Sequence, residues 1–411
     1  MPTPSPRLEV RLAACALTLL GLACSSLVHA HGEAAEALPP EPGVRLGLSA
    51  AVAHIDASQL LPSNRLVGYL LQGDPGVDRR GDALEHAVLD AGWRLNETWG
   101  AALAIGQHGS DQSHVEDAWL QAGTRRGQDL WQATAGRQRP ELGPVLTTAG
   151  HLDRFALVPL AKRMAVNDDW IDDGLQLGWR REGLDLQWSA DVGLWNGQVF
   201  PGARQGAVVP ALHLGLAAGD WNVDGFVAHF EPKGRGAVIT SATGAHSHAA
   251  PECNAALKQI VCFDGNSDLL GGSLRWNSHR WPVTASLAGW LRQDSGSLYS
   301  TNGLARYTGD NQGAWADVVW RAHPQLELGL RVESLTATHQ LTGAGASLLA
   351  TEAGFGAYKP ASRSALMLGY LPSEQLELRL ESGQEDVAGV QATYVALRLI
   401  ARLETVRPAA R

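Results

Sequence analysis

Apolar and polar residues alternate along much of the chain, and the clearest example lies between Gly313 and Leu335. Ala314, Ala316, Val318 and Trp320 alternate there with Trp315, Asp317, Val319 and Arg321. After a turn at residues 323–325, Leu326, Leu328, Leu330 and Val332 alternate with Glu327, Gly329, Arg331 and Glu333. Successive side chains of a strand point to opposite faces, so this pattern predicts a β-hairpin with one apolar face and one charged face.

The same alternation recurs on both sides of this hairpin and predicts about sixteen strands in all. The other predicted strands are 44–54, 83–95, 97–108, 114–125, 129–138, 174–180, 184–195, 207–218, 221–230, 269–277, 281–292, 362–371, 375–384 and 391–403. The apolar run Leu66–Leu71 is either a further strand or a packed loop segment. Strands of roughly 10 residues have the length that crosses a bilayer when tilted.

The connections between the predicted strands are of two kinds. Tight turns with Gly, Asp, Asn or Pro alternate with longer connections, among them residues 139–173, 231–268, 293–312 and 338–361. This asymmetry is typical of outer-membrane barrels. The sequence therefore predicts an all-β fold, a transmembrane antiparallel up-and-down β-barrel of about 16 strands with short periplasmic turns and long extracellular loops. Tryptophans near predicted strand ends are expected at the membrane interfaces, namely Trp93, Trp99, Trp179, Trp221, Trp276, Trp281 and Trp320.

The first residues have the features of an export signal. Arg7 and Arg11 precede the apolar run Leu12–Leu22, and small residues lead to a cleavage site after Ala30. We expect a Sec-type signal peptide at 1–30, a flexible periplasmic leader at 31–43, the barrel at 44–403 and a C-terminal tail at 404–411. A lipoprotein acylated at Cys24 is the alternative. These features predict the outer membrane of a Gram-negative bacterium.

Charge and motifs exclude several classes of function. The chain has 33 Lys and Arg against 42 Asp and Glu, and this formal net charge of −9 argues against a nucleic-acid partner. No nucleophile elbow, zinc-protease motif or phosphate-binding glycine loop is present, so we expect neither an enzyme nor a cofactor.

From Val44 to Leu403 the pattern resembles the bacterial outer-membrane porins, in particular the 16-strand trimeric type and the phosphate- or carbohydrate-selective porins. The resemblance rests on strand number and loop lengths. It implies passive diffusion of small polar solutes through a water-filled lumen, contact with outer-membrane lipid, and assembly as a homotrimer. It also implies that the connection 139–173, which follows the fifth strand, folds into the pore.

That connection carries the candidate pore constriction. Cationic and anionic residues follow one another in it: Arg154, Lys162, Arg163, Asp168, Asp169, Asp172 and Asp173. Opposed charges at the narrowest point of a pore would orient polar solutes. A calcium site formed by the aspartates and a solvated loop are the alternatives.

Charged residues on the polar phase of the strands are the candidate lumen lining. They are Arg94, Arg180, Arg275, Arg292, Arg321, Arg331, Arg379, Arg398, Arg402, Asp185, Asp191, Asp224, Asp317, Glu327, Glu333, Glu377 and Glu381. Because both signs are abundant, they suit a water-filled pore without strong charge selectivity. A paired network that seals a narrow barrel is the alternative.

A last candidate site lies in the connection 231–268. Cys253 and Cys262 are an isolated pair in an exported chain, which predicts a disulfide. With His246 and His248 they are also four soft ligands that suit a metal ion. The alternative function is therefore a barrel whose His-bearing extracellular loops bind a metal or another ligand. His31, His108 and His114 extend this hypothesis of transition-metal capture.

Overall fold

A computed structural model describes residues 38–70, 80–109, 113–148, 153–167, 169–181, 183, 186–198, 207–233, 235–238 and 260–408. The strands are β1 (Gly43–Ala57), β2 (Gly81–Arg94), β3 (Trp99–Gln107), β4 (His114–Arg126), β5 (Asp129–Gln138), β6 (Asp172–Arg181), β7 (Leu186–Trp195), β8 (Val209–Ala218), β9 (Trp221–Phe230), β10 (Arg235–Val238), β11 (Ile260–Asn277), β12 (Val283–Ser300), β13 (Gly303–His323), β14 (Leu326–Thr342), β15 (Ala361–Ser373), β16 (Leu376–Val387) and β17 (Val390–Pro408).

The strands form one closed antiparallel barrel. Each strand pairs with its neighbours along the chain, and β1 closes the ring by pairing with both β2 and β17. Strand β9 pairs directly with β11, whereas the short β10 only extends the sheet beside the first residues of β11. The barrel proper therefore has sixteen strands, which confirms the predicted fold class.

The barrel wall has an apolar outer face and a polar inner face, the reverse of a soluble sandwich. On β14 the side chains of Leu326, Leu328 and Leu330 are 40–44% exposed, whereas Glu327 and Arg331 are 1–2% exposed. Exposed tryptophans lie near the short-turn ends of the strands, among them Trp93, Trp99, Trp131, Trp188, Trp221, Trp281 and Trp320. Such rings suit a membrane interface because one end is apolar and the indole N–H is polar.

The bounds of several strands differ from the sequence-based prediction, and β11 begins at Ile260 instead of Leu269. The predicted connection 293–312 is wrong, because β12 continues to Ser300 and β13 begins at Gly303. Strand β14 continues to Thr342, so the long connection that follows it begins later than predicted. Of the two alternatives for the run Leu66–Leu71, the described residues form the packed loop segment, with Leu66 and Leu70 buried. Strand β17 continues beyond Leu403, to Pro408.

Short helices lie in the connections. They are α1 (Pro144–Thr148), α2 (Leu160–Val166) and α3 (Ala346–Glu352), with 3₁₀ turns at Pro62–Asn64 and Phe355–Ala357. No helix in the described ranges has both the length and the apolar character needed to span a bilayer. The largest buried apolar cluster combines α2 with inward-facing side chains of the wall, among them Trp195, Phe226, Trp290 and Trp315. The core of the protein is therefore inside the barrel.

Candidate functional site

The candidate functional site is the barrel interior, where residues 139–171 lie between β5 and β6. We call these residues the β5–β6 insert. Its described part contacts inward-facing side chains of β14, β15, β16 and β17, which lie on the far side of the closed ring from β5 and β6. The insert therefore crosses the interior.

Side chains of the barrel wall form hydrogen bonds with the backbone N–H and C=O groups of the insert. Carboxylates accept from its amides: Glu381 Oε2 lies 2.6 Å from Ala156 N, and Glu333 Oε2 lies 2.7 Å from Leu160 N. Guanidinium groups donate to its carbonyls, as Arg398 Nη1 does to Asp153 O at 2.9 Å. Buried backbone groups outside helices and sheets need such partners, because an unpaired one costs about 1–3 kcal/mol.

Further arginines hold the insert in the same way. Arg363 donates to the carbonyl of Val158, and Arg292 donates to the carbonyls of Met164 and Leu70. Leu70 belongs to the β1–β2 connection, so Arg292 fastens two separate connections to the wall. A buried lysine could not bond several carbonyls in this planar geometry, which is why arginine suits the position.

The inner charges also form ion pairs with one another. Arg331 binds Asp317 at 2.6 Å and Asp153 of the insert at 2.6 Å, and its guanidinium lies 4.2 Å from the centre of the Phe155 ring. Arg363 binds Glu333 at 2.8 Å. Arg331, Arg363 and Glu333 are almost fully buried, and removing one partner of such a pair leaves an uncompensated charge.

Apolar contacts fill the space between these polar anchors. Helix α2 is buried along its whole length, and Leu160 and Met164 belong to the same cluster as Trp290 and Trp315 of the wall. Trp170, at the end of the insert, lies 4.9 Å from Phe230, measured between ring centres. At the level of α2 the described interior is packed like a protein core.

Toward the short-turn side the interior is different. Inward-facing residues there are polar and half-buried or exposed: Gln121, Gln132, Gln176, Arg180, Gln187 and Ser189 on β4 to β7. Arg321, on the opposite wall, keeps a side chain that is 39% exposed although it binds Glu327 at 2.8 Å. Water therefore reaches the inner wall on this side of the insert.

The base of the insert is fixed by Arg139, directly after β5. Its guanidinium binds Asp169 at 2.6 Å, Glu116 at 2.9 Å and Asp117 at 3.1 Å. Burial disfavours the charged form, but the three carboxylates outweigh it and raise the pKa of Arg139 above its ordinary value. The insert therefore begins at a permanently charged anchor.

The predicted constriction residues are not brought together as one set. Lys162 and Arg163 are buried on α2, and Lys162 Nζ lies 3.9 Å from Asp169. Arg154 lies elsewhere, 3.7 Å from Glu327 of the far wall. Asp172 and Asp173 belong to β6, where Asp173 binds Arg137 at 2.9 Å. Asp168 lies outside the described residues.

The predicted lumen charges that the structure describes all occur on strands, and most of them are paired. Arg379 binds Glu377 and Glu327, Arg398 binds Glu85, and Arg180 lies 3.4 Å from Glu141. Asp191 accepts from His213, whose other ring nitrogen lies 3.1 Å from Asp224. Of the predicted lumen residues, Asp185 lies outside the described residues.

The loop site predicted around His246, His248 and Cys253 also lies outside the described residues. Cys262 is buried near the start of β11, and its disulfide with Cys253 stays a prediction. The structure reveals instead a cluster of His86, His108 and Glu116 that the sequence pattern did not single out as a group. The register of β2, β3 and β4 at their long-loop ends is the signal that brings these residues together.

No family model and no curated protein matches this sequence. Solved structures do match the fold. Outer-membrane expressed OmpT of Vibrio cholerae is 12% identical, with 90% of this chain and 100% of that chain covered and a TM-score of 0.52. OprB of Pseudomonas putida is 10% identical, with 88% and 94% covered and a TM-score of 0.51. A trimer form of OmpT is 11% identical, with 88% and 98% covered and a TM-score of 0.51.

These similarities concern the fold, since the identities are low. The chain has the sixteen-stranded barrel fold of the bacterial outer-membrane porins, and the predicted resemblance is confirmed at that level.

Proposed function

We propose that this protein is an outer-membrane channel for small polar solutes, in which the β5–β6 insert narrows the pore. The observation that carries the proposal is the direct attachment of the insert to the far wall by Arg331, Glu333 and Arg363. Such an attachment divides the interior into a polar, water-accessible side and a packed centre. Solutes would pass only when the insert yields, so wall charges would control the opening of the channel.

Polar contacts suit this role better than an apolar seal alone. A hydrogen-bonded insert exchanges its protein partners for water when it moves, so the net contribution of a bond is only about 0.5–1.5 kcal/mol. Several such bonds, together with the packing of α2, would hold the insert in place most of the time. We therefore expect a channel that is mostly closed and that opens in brief steps.

Single-channel recording of the detergent-refolded chain in a planar bilayer tests the proposal. Arg331→Ala removes the contacts with Asp153 and with the carbonyl of Leu157, so we expect larger or more frequent current steps than in the unmodified protein. Arg321→Ala is the matched control, because Arg321 is an inward arginine of the neighbouring strand that binds Glu327 of the wall. It should leave the opening frequency unchanged.

A correctly folded Arg331→Ala variant that never conducts would contradict the proposal and would favour a sealed barrel whose loops bind a ligand. Correct folding is checked by retained resistance to unfolding in cold detergent. If the channel does conduct, the mixed charges predict a reversal potential near zero in a salt gradient. The trimer form of OmpT makes a homotrimer the assembly to test, by mass measurement of the protein in detergent.

A further inference from the structure

A cluster of imidazoles and one carboxylate lies inside the barrel wall, at the long-loop ends of β2, β3 and β4. His86 lies on β2, His108 directly follows β3, and Glu116 lies on β4. All three side chains are buried, and their ligand atoms lie within 4.8 Å of one another. The ring of His114, at the start of β4, extends the cluster toward solvent.

The carboxylate of Glu116 faces all three imidazoles. Its Oε1 atom lies 2.6 Å from Nε2 of His86, 3.4 Å from Nε2 of His108 and 3.7 Å from Nε2 of His114. The rings are nearly parallel, with centres 4.3 Å apart for His86 and His108 and 5.2 Å apart for His108 and His114. Ligand atoms that surround one tetrahedral ion at about 2.0–2.2 Å lie about 3.3 Å apart. Small rotations therefore suffice for His86, His108 and Glu116, whereas the ring of His114 would have to turn further toward them.

Two neighbouring residues hold this arrangement. Arg139 Nη2 binds the other oxygen of Glu116 at 2.9 Å, so Oε1 is left turned toward the histidines. Gly106 makes room for the carboxylate, because a Cβ atom at Gly106 would lie only 1.9 Å from Glu116 Oε1. Outer-shell partners of this kind orient metal ligands and strengthen binding.

We propose that His86, His108 and Glu116, with His114 as the fourth ligand, form a binding site for a divalent transition-metal ion of the zinc class. Imidazole and carboxylate donors suit Zn²⁺, Co²⁺ and Ni²⁺, whereas Ca²⁺ and Mg²⁺ prefer oxygen ligands alone. The ion replaces the proton shared by His86 and Glu116. The partial exposure of His114 gives the ion a route of entry from solvent.

This site differs from the predicted loop site at His246 and His248, and it does not depend on whether the barrel conducts. It would join three consecutive strands through one ion. Arg139 is the first residue of the β5–β6 insert and binds Glu116. The ion would therefore also lie next to the residue that anchors the insert.

Titration of the tag-free, refolded full chain with Co²⁺ tests the site, followed by displacement with Zn²⁺. We expect a visible ligand-field absorption band that saturates at one ion per chain and is lost when Zn²⁺ is added. Gly106→Ala keeps every ligand but displaces the Glu116 carboxylate, so the affinity should fall by about 10–100-fold. Gly225→Ala is its matched control on β9, because a Cβ there meets nothing within 4 Å.

Two further variants test the assignment of ligands. Glu116→Gln keeps the shape of the side chain and should weaken Co²⁺ binding. His229→Ala changes a histidine of β9 that binds Asp268 and should leave Co²⁺ binding intact. The proposal is overturned if the unmodified chain shows no Co²⁺ band. It is also overturned if the band survives in Glu116→Gln and Gly106→Ala but disappears when His246 and His248 are both changed to Ala.

Discussion

Arg292 provides the most direct test of how the insert is held. The residue is fully buried on β12, its Nε binds Asp294 at 3.0 Å, and its other nitrogens donate to the carbonyls of Met164 and Leu70. Arg292→Met keeps the length and apolar stem of the side chain but removes the charge. Breaking a buried pair by removing one partner costs about 3–5 kcal/mol, so we expect a loss of that size in the free energy of unfolding.

Part of this cost should appear as local opening of the insert. Hydrogen exchange of the peptide covering residues 153–167 should become faster in Arg292→Met, while amides of β14 and β15 remain protected. Equilibrium unfolding in urea, with the protein in detergent micelles, measures the free energy of unfolding of the whole barrel. The two readouts separate release of the insert from weakening of the barrel.

A double-mutant cycle isolates the charge pair. Asp294→Asn keeps a side chain that Ser267 and Asn311 still contact, while it removes the negative charge that Arg292→Met would strand. The double variant should therefore lose less stability than the sum of the single variants, by about 1–3 kcal/mol. Additive losses, or a loss below about 1 kcal/mol for Arg292→Met, would refute the view that the buried pair and the two carbonyls depend on this guanidinium.

Three further predictions concern the barrel wall and the predicted disulfide. Gly383→Ala should cost about 1–3 kcal/mol, because its Cβ would lie 2.4 Å from the ring of Tyr394, whereas Gly225→Ala should be near neutral in the same urea titration. Leu330→Arg on the outer face should lower the free energy of unfolding in lipid vesicles by about 2–4 kcal/mol. Its control, Glu374→Arg in an exposed turn, should change that free energy by no more than ~0.5 kcal/mol. If the predicted disulfide is present, the mature chain, unfolded without a reducing agent, should not react with maleimide. Labelling of Cys262 under these conditions would exclude the disulfide.

The strands could be predicted from the sequence wherever lipid faces them. On β14 the outward leucines alternate with inward charges, so the period of two is visible in the residues themselves. The ends of β12 and β13 escaped prediction for a physical reason. Outward positions there include Arg306, Thr308 and Asp310, so the outward face is polar although the strands still pair, while inward Ala305 and Tyr307 are buried. Strand pairing therefore continues beyond the lipid-facing part of these strands, but the alternation of apolar and polar residues in the sequence does not.

The interior was less predictable because its contacts join residues that are distant in the chain. Arg331 binds Asp153, and nothing in either local sequence specifies this pair; the path of the insert does. The histidine cluster shows the same limit. His86 is a single histidine on the inward phase of β2, and only the register of three strands places it beside His108 and Glu116.

The fate of the inner charges changes what they imply about selectivity. A count of inward arginines and carboxylates suggests a wide, charged pore, but Arg363, Glu333 and Glu381 contact the backbone of the insert. These charged side chains hold the insert in place, so they are not available to contact solutes. By contrast, the side chains of Arg180 and Arg321 are 44% and 39% exposed, so solvent reaches them. Substitutions at these two positions should therefore change the charge selectivity of the open channel, whereas substitutions at Arg363 or Glu333 should change how often it opens.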